Sequence, residues 1–156
     1  MPDKDTKIEQ ILRKAIQFEE AAFEFYTSAV EMVQQPHIKS VLQDLAAEEV
    51  KHKERLQKLL EGNVQAIVAV RKRDQIQDLK LAEYLVSQPL GPDATFQDVL
   101  IVAMHREKSS NEFYSVMASI AEEGETKDLF AFLAQEELGH KNRIEKLYDE
   151  FVYQEF

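Results

Sequence analysis

The chain has 156 residues, enough for one domain with a sizeable buried core. Its 29 acidic residues against 19 basic ones give a formal net charge of −10, which repels phosphate backbones and argues against nucleic-acid binding. The absence of cysteine excludes disulfides, thiolate metal sites, cysteine-ligated iron–sulfur clusters and thiol catalysis.

With only four Gly and four Pro, and much Glu, Lys, Ala, Leu and Gln, the composition favours long helices over short strands. The polar start, Met1 to Lys7, contains no apolar h-region, and no apolar run reaches bilayer-spanning length. The expectation is a soluble cytoplasmic protein without a membrane partner.

Thr6-Lys7-Ile8-Glu9 reads as a capping box opening helix 1. An apolar stripe at helical spacing follows, from Ile8, Ile11, Leu12, Ala15 and Ile16 through Ala22, Phe23, Tyr26, Ala29, Val30 and Val33. It stops at Gln35-Pro36. Helix 2 begins at Pro36, continues through Ile38, Val41, Leu42, Leu45, Val50, Leu56, Leu59 and Leu60, and ends at Gly62. A short amphipathic helix is expected over Gln75–Val86, before Pro89, Gly91 and Pro92 break the chain. Helix 3 opens near Thr95, runs through Val99, Val102, Ala103, Phe113, Met117 and Ile120, and stops at Gly124. Helix 4 opens near Thr126 and carries Leu129, Phe130, Leu133, Leu138, Ile144, Leu147 and Phe151.

Short links at Gln35-Pro36 and Gly124 predict two antiparallel hairpins, at 6–62 and 95–152. The connection at 63–94 is long enough to cross the whole bundle. A single all-α domain over 1–156, a ferritin-like four-helix bundle, is therefore expected.

The halves repeat at an offset of 88 residues. Lys39–Leu60 and Lys127–Tyr148 share 10 of 22 aligned residues, and Ala15–Glu31 and Ala103–Ser119 share 5 of 17. Glu19, Phe25 and Tyr26 return as Glu107, Phe113 and Tyr114, while Glu49-x-x-His52 returns as Glu137-x-x-His140. Two single glutamates and two Glu-x-x-His pairs are the ligand inventory of a dinuclear carboxylate site in a four-helix bundle. Positions i and i+3 share a helix face, so each Glu–His pair can reach one centre. Glu49 and Glu137 are expected to bridge two metals, Glu19 and Glu107 to bind terminally, and His52 and His140 to cap one metal each. Four carboxylates and two imidazoles suit iron, or manganese, better than copper(I). Glu19 lies on the apolar stripe, and four buried carboxylates would be prohibitively costly without cations. Two divalent ions neutralise four charges, taking −10 + 4 to −6.

Around this centre, Tyr26 and Tyr114 could hydrogen-bond a ligand carboxylate or donate single electrons; satisfied core tyrosines are an equal alternative. Glu48 and Glu136 read as solvated helix residues rather than imidazole partners. Phe25 and Phe113 read as packing, His37 and His105 as surface residues, and Arg71-Lys72-Arg73 as a solvated patch or a donor-docking site.

Through Glu19-x5-Phe25-Tyr26, Glu49-x2-His52, Glu107-x5-Phe113-Tyr114 and Glu137-x2-His140, the chain resembles the rubrerythrin-like branch of the ferritin-like di-iron proteins. The resemblance implies two non-haem irons that react with hydrogen peroxide or dioxygen. Two features differ. No cysteines are present to build a rubredoxin-like iron domain, and Ser110 stands where rubrerythrins carry an extra glutamate after the helix-3 ligand; its helix-1 counterpart is Ala22.

The expected activity is that of an oxidoreductase reducing peroxide or dioxygen with electrons from an external donor protein. The alternative is an iron-binding or ferroxidase protein for iron storage or handling; a metal-free interaction module is a third reading. A homodimer is compatible with so apolar a bundle.

Overall fold

The computed structural model describes residues 4–62, 81–86 and 90–154. These form four α-helices, α1 (Lys4–Val30), α2 (Pro36–Glu61), α3 (Phe96–Ile120) and α4 (Glu125–Gln154), with a 3₁₀ turn at Leu81–Leu85. The most extensive contacts are between α1 and α2 and between α3 and α4, as expected of two hairpins.

Apolar residues on the helical stripes make two core clusters, one at each end of the bundle. Ile8, Leu12, Leu56, Met117, Phe130 and Leu133 belong to one. Val30, Ile38, Leu42, Leu100, Ile144 and Leu147 belong to the other. Each of the four helices passes from one cluster to the other. Each also carries buried polar residues at the crossing: Glu19 on α1, Glu49 and His52 on α2, Glu107 on α3, Glu137 and His140 on α4. A polar layer therefore lies between two apolar plugs that exclude water from it.

The helix ends follow local chemistry. Thr95 caps α3, its side chain accepting from Asp98 N at 3.2 Å, while Asp98 Oδ2 accepts from Thr95 N at 2.9 Å. This reciprocal pair satisfies two otherwise unpaired amides. Pro36 occupies the first turn of α2, where its missing N–H costs nothing. Gly124 adopts φ +124°, a conformation that disfavours side chains, and turns the chain from α3 into α4.

Several boundaries differ from expectation. Helix α1 starts at Lys4, so Thr6 is a helical residue rather than a cap. The same helix ends at Val30, yet Val33 is 3 % exposed: the apolar stripe continues into the turn and packs there. Helix α3 ends at Ile120, before Gly124, and α4 opens at Glu125. Phe23 and Leu138, placed on the stripes by spacing, are exposed. Of the short helix expected over Gln75–Val86, residues 75–80 lie outside the described residues. Residues 81–85 form 3₁₀ rather than α-helix; Leu81 is buried in the core while Val86 is exposed. Arg71-Lys72-Arg73 and Pro89 also lie outside the described residues. Among the described residues, no helix is long and apolar enough to cross a membrane.

Candidate metal centre

The structure brings all six expected residues into one buried layer, each no more than 2 % exposed. Their donor atoms form two overlapping four-residue sets, Glu19, Glu49, His52 and Glu137, and Glu49, Glu107, Glu137 and His140, with Glu49, His52 and His140 a third group joining them. Within each set the atoms lie no more than 4.8 Å apart. Glu49 and Glu137 belong to both.

The distances repeat this division. His52 Nδ1 is 2.8 Å from Glu137 Oε1 and 3.5 Å from Glu49 Oε1. His140 Nδ1 is 2.9 Å from Glu49 Oε1 and 3.7 Å from Glu137 Oε1. Of the two imidazoles, Glu19 lies beside His52, at 3.6 Å, and Glu107 beside His140, at 3.5 Å. The two imidazole rings stack with centroids 5.4 Å apart and planes 12° from parallel. Glu49 and Glu137 therefore occupy the shared positions, while Glu19 and Glu107 each serve one side.

Burial leaves these groups without ordinary partners. Glu19 Oε2, Glu49 Oε1, Glu107 Oε2, both Glu137 oxygens and both Nδ1 atoms make no hydrogen bond. The closest Nδ1–oxygen pairs are near enough for one but not aligned for it. Converging, misaligned donors are arranged as ligands of a common third atom. Four carboxylates and two imidazoles at this spacing fit two divalent cations, which would remove the cost of burying like charges.

The electrostatics of the protein alone express that cost. Burial, then the neighbouring Glu19 and Glu107, raise the Glu49 carboxyl well above its ordinary value. Burial and then Glu107, Glu49 and Glu19 do the same to Glu137. Burial would lower His52, but Glu137 and Glu19 outweigh it and raise the imidazole to about 10. His140 is raised in the same way, chiefly by Glu107 against burial. Glu107 itself is lowered, because His140 outweighs its burial. Without metal, the site holds protons that a cation would displace.

Both tyrosine hydroxyls bind carboxylates, and both do so across the repeat. Tyr114 on α3 donates to Glu19 Oε1 on α1 at 2.7 Å, and Tyr26 on α1 donates to Glu107 Oε1 on α3. Burial and the surrounding carboxylates push both phenols well above 10.0, so each keeps its proton.

Glu48 and Glu136, read as solvated helix residues, are half-buried and stand beside the imidazoles. Glu136 Oε1 lies 3.5 Å from His52 Nε2, and Glu48 Oε2 lies 3.6 Å from His140 Nε2. Each is half-buried on the helix facing its imidazole, and Glu48 is held by Arg143 Nη1 at 2.6 Å. Phe113 is buried and Phe25 half-buried, while His37 and His105 are exposed.

Two further residues adjoin the layer. Arg106, next to Glu107, is 7 % exposed; its Nη2 donates to Phe18 O at 3.3 Å and its guanidinium lies over the Phe18 ring at 4.4 Å. It brings a positive charge close to the carboxylates and was not anticipated. The signal existed: position 106 continues the α3 stripe of 99, 103, 110 and 113. Ser110, one turn beyond Glu107, is 2 % exposed and presents no carboxylate.

Fold and site together define a ferritin-like bundle with a carboxylate–histidine centre. The Rubrerythrin family profile matches residues 10–148, and the chain belongs to that family. A hypothetical protein from Pyrococcus furiosus shares the fold with a TM-score of 0.71 and 26 % identity, over 94 % of this chain and 91 % of that one. A Thermotoga maritima structure, described as that of a candidate ferritin-like diiron-carboxylate protein, superposes with a TM-score of 0.67 at 22 % identity. That match covers 92 % of this chain and 95 % of the other. No curated protein matches the chain.

Proposed function

We propose that the chain is a non-haem di-iron oxidoreductase that reduces hydrogen peroxide, or dioxygen, with electrons from an external donor protein. The observation that carries this reading is the pair of four-residue donor sets sharing Glu49 and Glu137. Iron bound there supplies Lewis acidity and two reversible one-electron changes, enough to take H₂O₂, two protons and two electrons to two waters.

The chain's own residues hold and isolate that chemistry. Glu19 and His52 serve one metal position, Glu107 and His140 the other. Tyr114 and Tyr26 fix one oxygen of Glu19 and Glu107 and leave the second oxygen directed inward. Glu136 faces the outer nitrogen of His52 and favours the tautomer whose Nδ1 is free to bind metal, while Glu48 stands 3.6 Å from His140 Nε2, which makes no hydrogen bond. The apolar clusters above and below keep bulk water out. The electrons are supplied by an external donor protein.

Ser110 favours a second reading, an iron-binding or ferroxidase role, because it offers a hydroxyl where a redox-exchanging carboxylate would stand. Rapid mixing of anaerobically Fe(II)-loaded protein with peroxide and, separately, with oxygen distinguishes the two. The oxidoreductase reading expects one peroxide consumed per metal pair, faster than oxygen, with turnover once a reductant is supplied. Preference for oxygen with continued Fe(II) uptake would replace it with the iron-handling reading.

A further inference from the structure

A cavity of about 290 Å³ opens on the α1/α2 seam directly outside the polar layer. Glu19, Glu20, Phe23 and Glu24 line it from α1, and Val50 and Lys53 from α2. Its inner wall is thus Glu19, 1 % exposed, whose Oε2 accepts no hydrogen bond. Its outer wall carries the Glu20 and Glu24 carboxylates, with Lys53 Nζ bridging the seam to Glu20 Oε1 at 2.9 Å.

The equivalent seam between α3 and α4 has different chemistry, although the helices are repeats. At the 88-residue offset, Glu20 is replaced by Lys108 and Phe23 by Asn111, whereas Glu24 and Lys53 return as Glu112 and Lys141. Asn111 Nδ2 is tied to Ala134 O across that seam at 2.7 Å. Lys141, facing no carboxylate at position 108, pairs along its own helix with Glu145, where α2 has Gln57. Two carboxylates and one ammonium give the α1/α2 mouth a formal charge of −1. Two ammoniums and two carboxylates, Glu145 included, leave the α3/α4 mouth with no net charge.

We infer that the α1/α2 cavity is the route by which a divalent cation reaches the centre, with Glu20 and Glu24 capturing it and Lys53 latching Glu20 across the opening. The inference rests on the metal reading of the polar layer. A negative mouth with low-dielectric walls raises the local concentration of cations, and a positive one lowers it. Transfer inward follows from Glu20 to its neighbour Glu19, whose Oε2 makes no hydrogen bond and lies 3.6 Å from His52 Nδ1. The second seam, crossed by the Asn111–Ala134 bond and carrying no net charge, lacks that attraction.

The test uses the full chain stripped of metal and Co(II), whose visible absorption reports binding to oxygen and nitrogen ligands. The Glu20→Gln/Glu24→Gln variant is expected to load on the order of 3–10-fold more slowly than wild type while still binding two ions per chain. Lys53→Ala, which frees Glu20, is expected to load faster, and the loading rate of wild type to fall with salt more steeply than that of the double variant. Unchanged loading kinetics at full capacity would overturn the route and leave the centre itself standing. Loss of capacity in the Glu20→Gln/Glu24→Gln variant would overturn it too, by making these glutamates part of the final site. Failure of wild type to bind Co(II) at all would remove both the route and the metal reading beneath it.

Discussion

Tyr114 on α3 donates its hydroxyl to Glu19 on α1 at 2.7 Å, so the second half of the repeat fixes a carboxylate of the first. Tyr26 returns the arrangement to Glu107. The exchange follows from helix geometry. Tyr26 lies seven residues beyond Glu19, about 10 Å along the axis, too far for a hydrogen bond within its own helix. Replacing Tyr114 with Phe leaves a buried carboxylate oxygen unpaired. Metal affinity should fall by about 10-fold, with a stability loss of roughly 1–3 kcal/mol. Isothermal titration with Mn(II) and thermal unfolding measure the two effects; unchanged affinity would make Tyr114 a packing residue.

The four carboxylates should make the metal-free protein less stable than its core allows. Glu137 is fully buried and its carboxyl is raised well above its ordinary value, mainly by burial and then by Glu107. Glu137→Gln is therefore expected to raise the melting temperature in the presence of a chelator and to abolish the metal-induced increase. Paired melts with EDTA and with excess Co(II) check both. A lower melting temperature without metal would show that Glu137 stabilises the empty site through His52.

Above pH 6, metal-free stability should depend on pH in one direction. His52 is raised from 6.5 to about 10 in the folded chain, so the folded state holds this proton more tightly than the unfolded one. Its contribution is complete below pH 6.5 and is lost as pH rises towards 10. The raised carboxyls of Glu49 and Glu137 act in the same sense, from about 4.5 upward. Bound cations displace these protons, so the gap in melting temperature between loaded and empty protein should widen from pH 6 to pH 9. A gap that narrows over that range would contradict the proton inventory of the site.

Glu136 offers a finer test of how the imidazoles are held. It lies 3.5 Å from His52 Nε2, on the side of the ring away from the other carboxylates. Glu136→Gln keeps the shape, removes the charge and should weaken binding about 10-fold without reducing capacity below two ions. A competition titration with a chromophoric chelator reads both quantities. Wild-type affinity would return Glu136 to the solvated role that its spacing suggests.

Much of the fold was legible because each local signal agreed with the next. Pro36, Gly62, Thr95 and Gly124 mark helix ends, and the apolar stripes between them bury the predicted side chains at Leu12, Leu42, Met117 and Ile144. The six centre residues were legible because duplication fixes them at one offset and helical spacing fixes their faces. Partners across the bundle were not. Glu48 and Glu136 lie four residues before a histidine on their own helix, but each meets the histidine of the opposite hairpin. That depends on how α2 and α4 pack, which periodicity does not specify. Arg106 escaped because arginine on an apolar stripe reads as an interruption; its burial rests on stacking against Phe18, from a helix distant in sequence. The 3₁₀ turn at Leu81–Leu85 likewise reflects docking against α1 and α3 rather than local amphipathicity.

Glu19, Glu49, His52, Glu107, Glu137 and His140 are expected to hold two metal ions per chain. Anomalous diffraction at the iron edge, from crystals of anaerobically Fe(II)-loaded protein, tests it most directly. Two peaks are expected roughly 3.5–4 Å apart, both between Glu49 and Glu137, one beside His52 and the other beside His140. No peak in this layer, or a single peak bound elsewhere on the bundle, would contradict it.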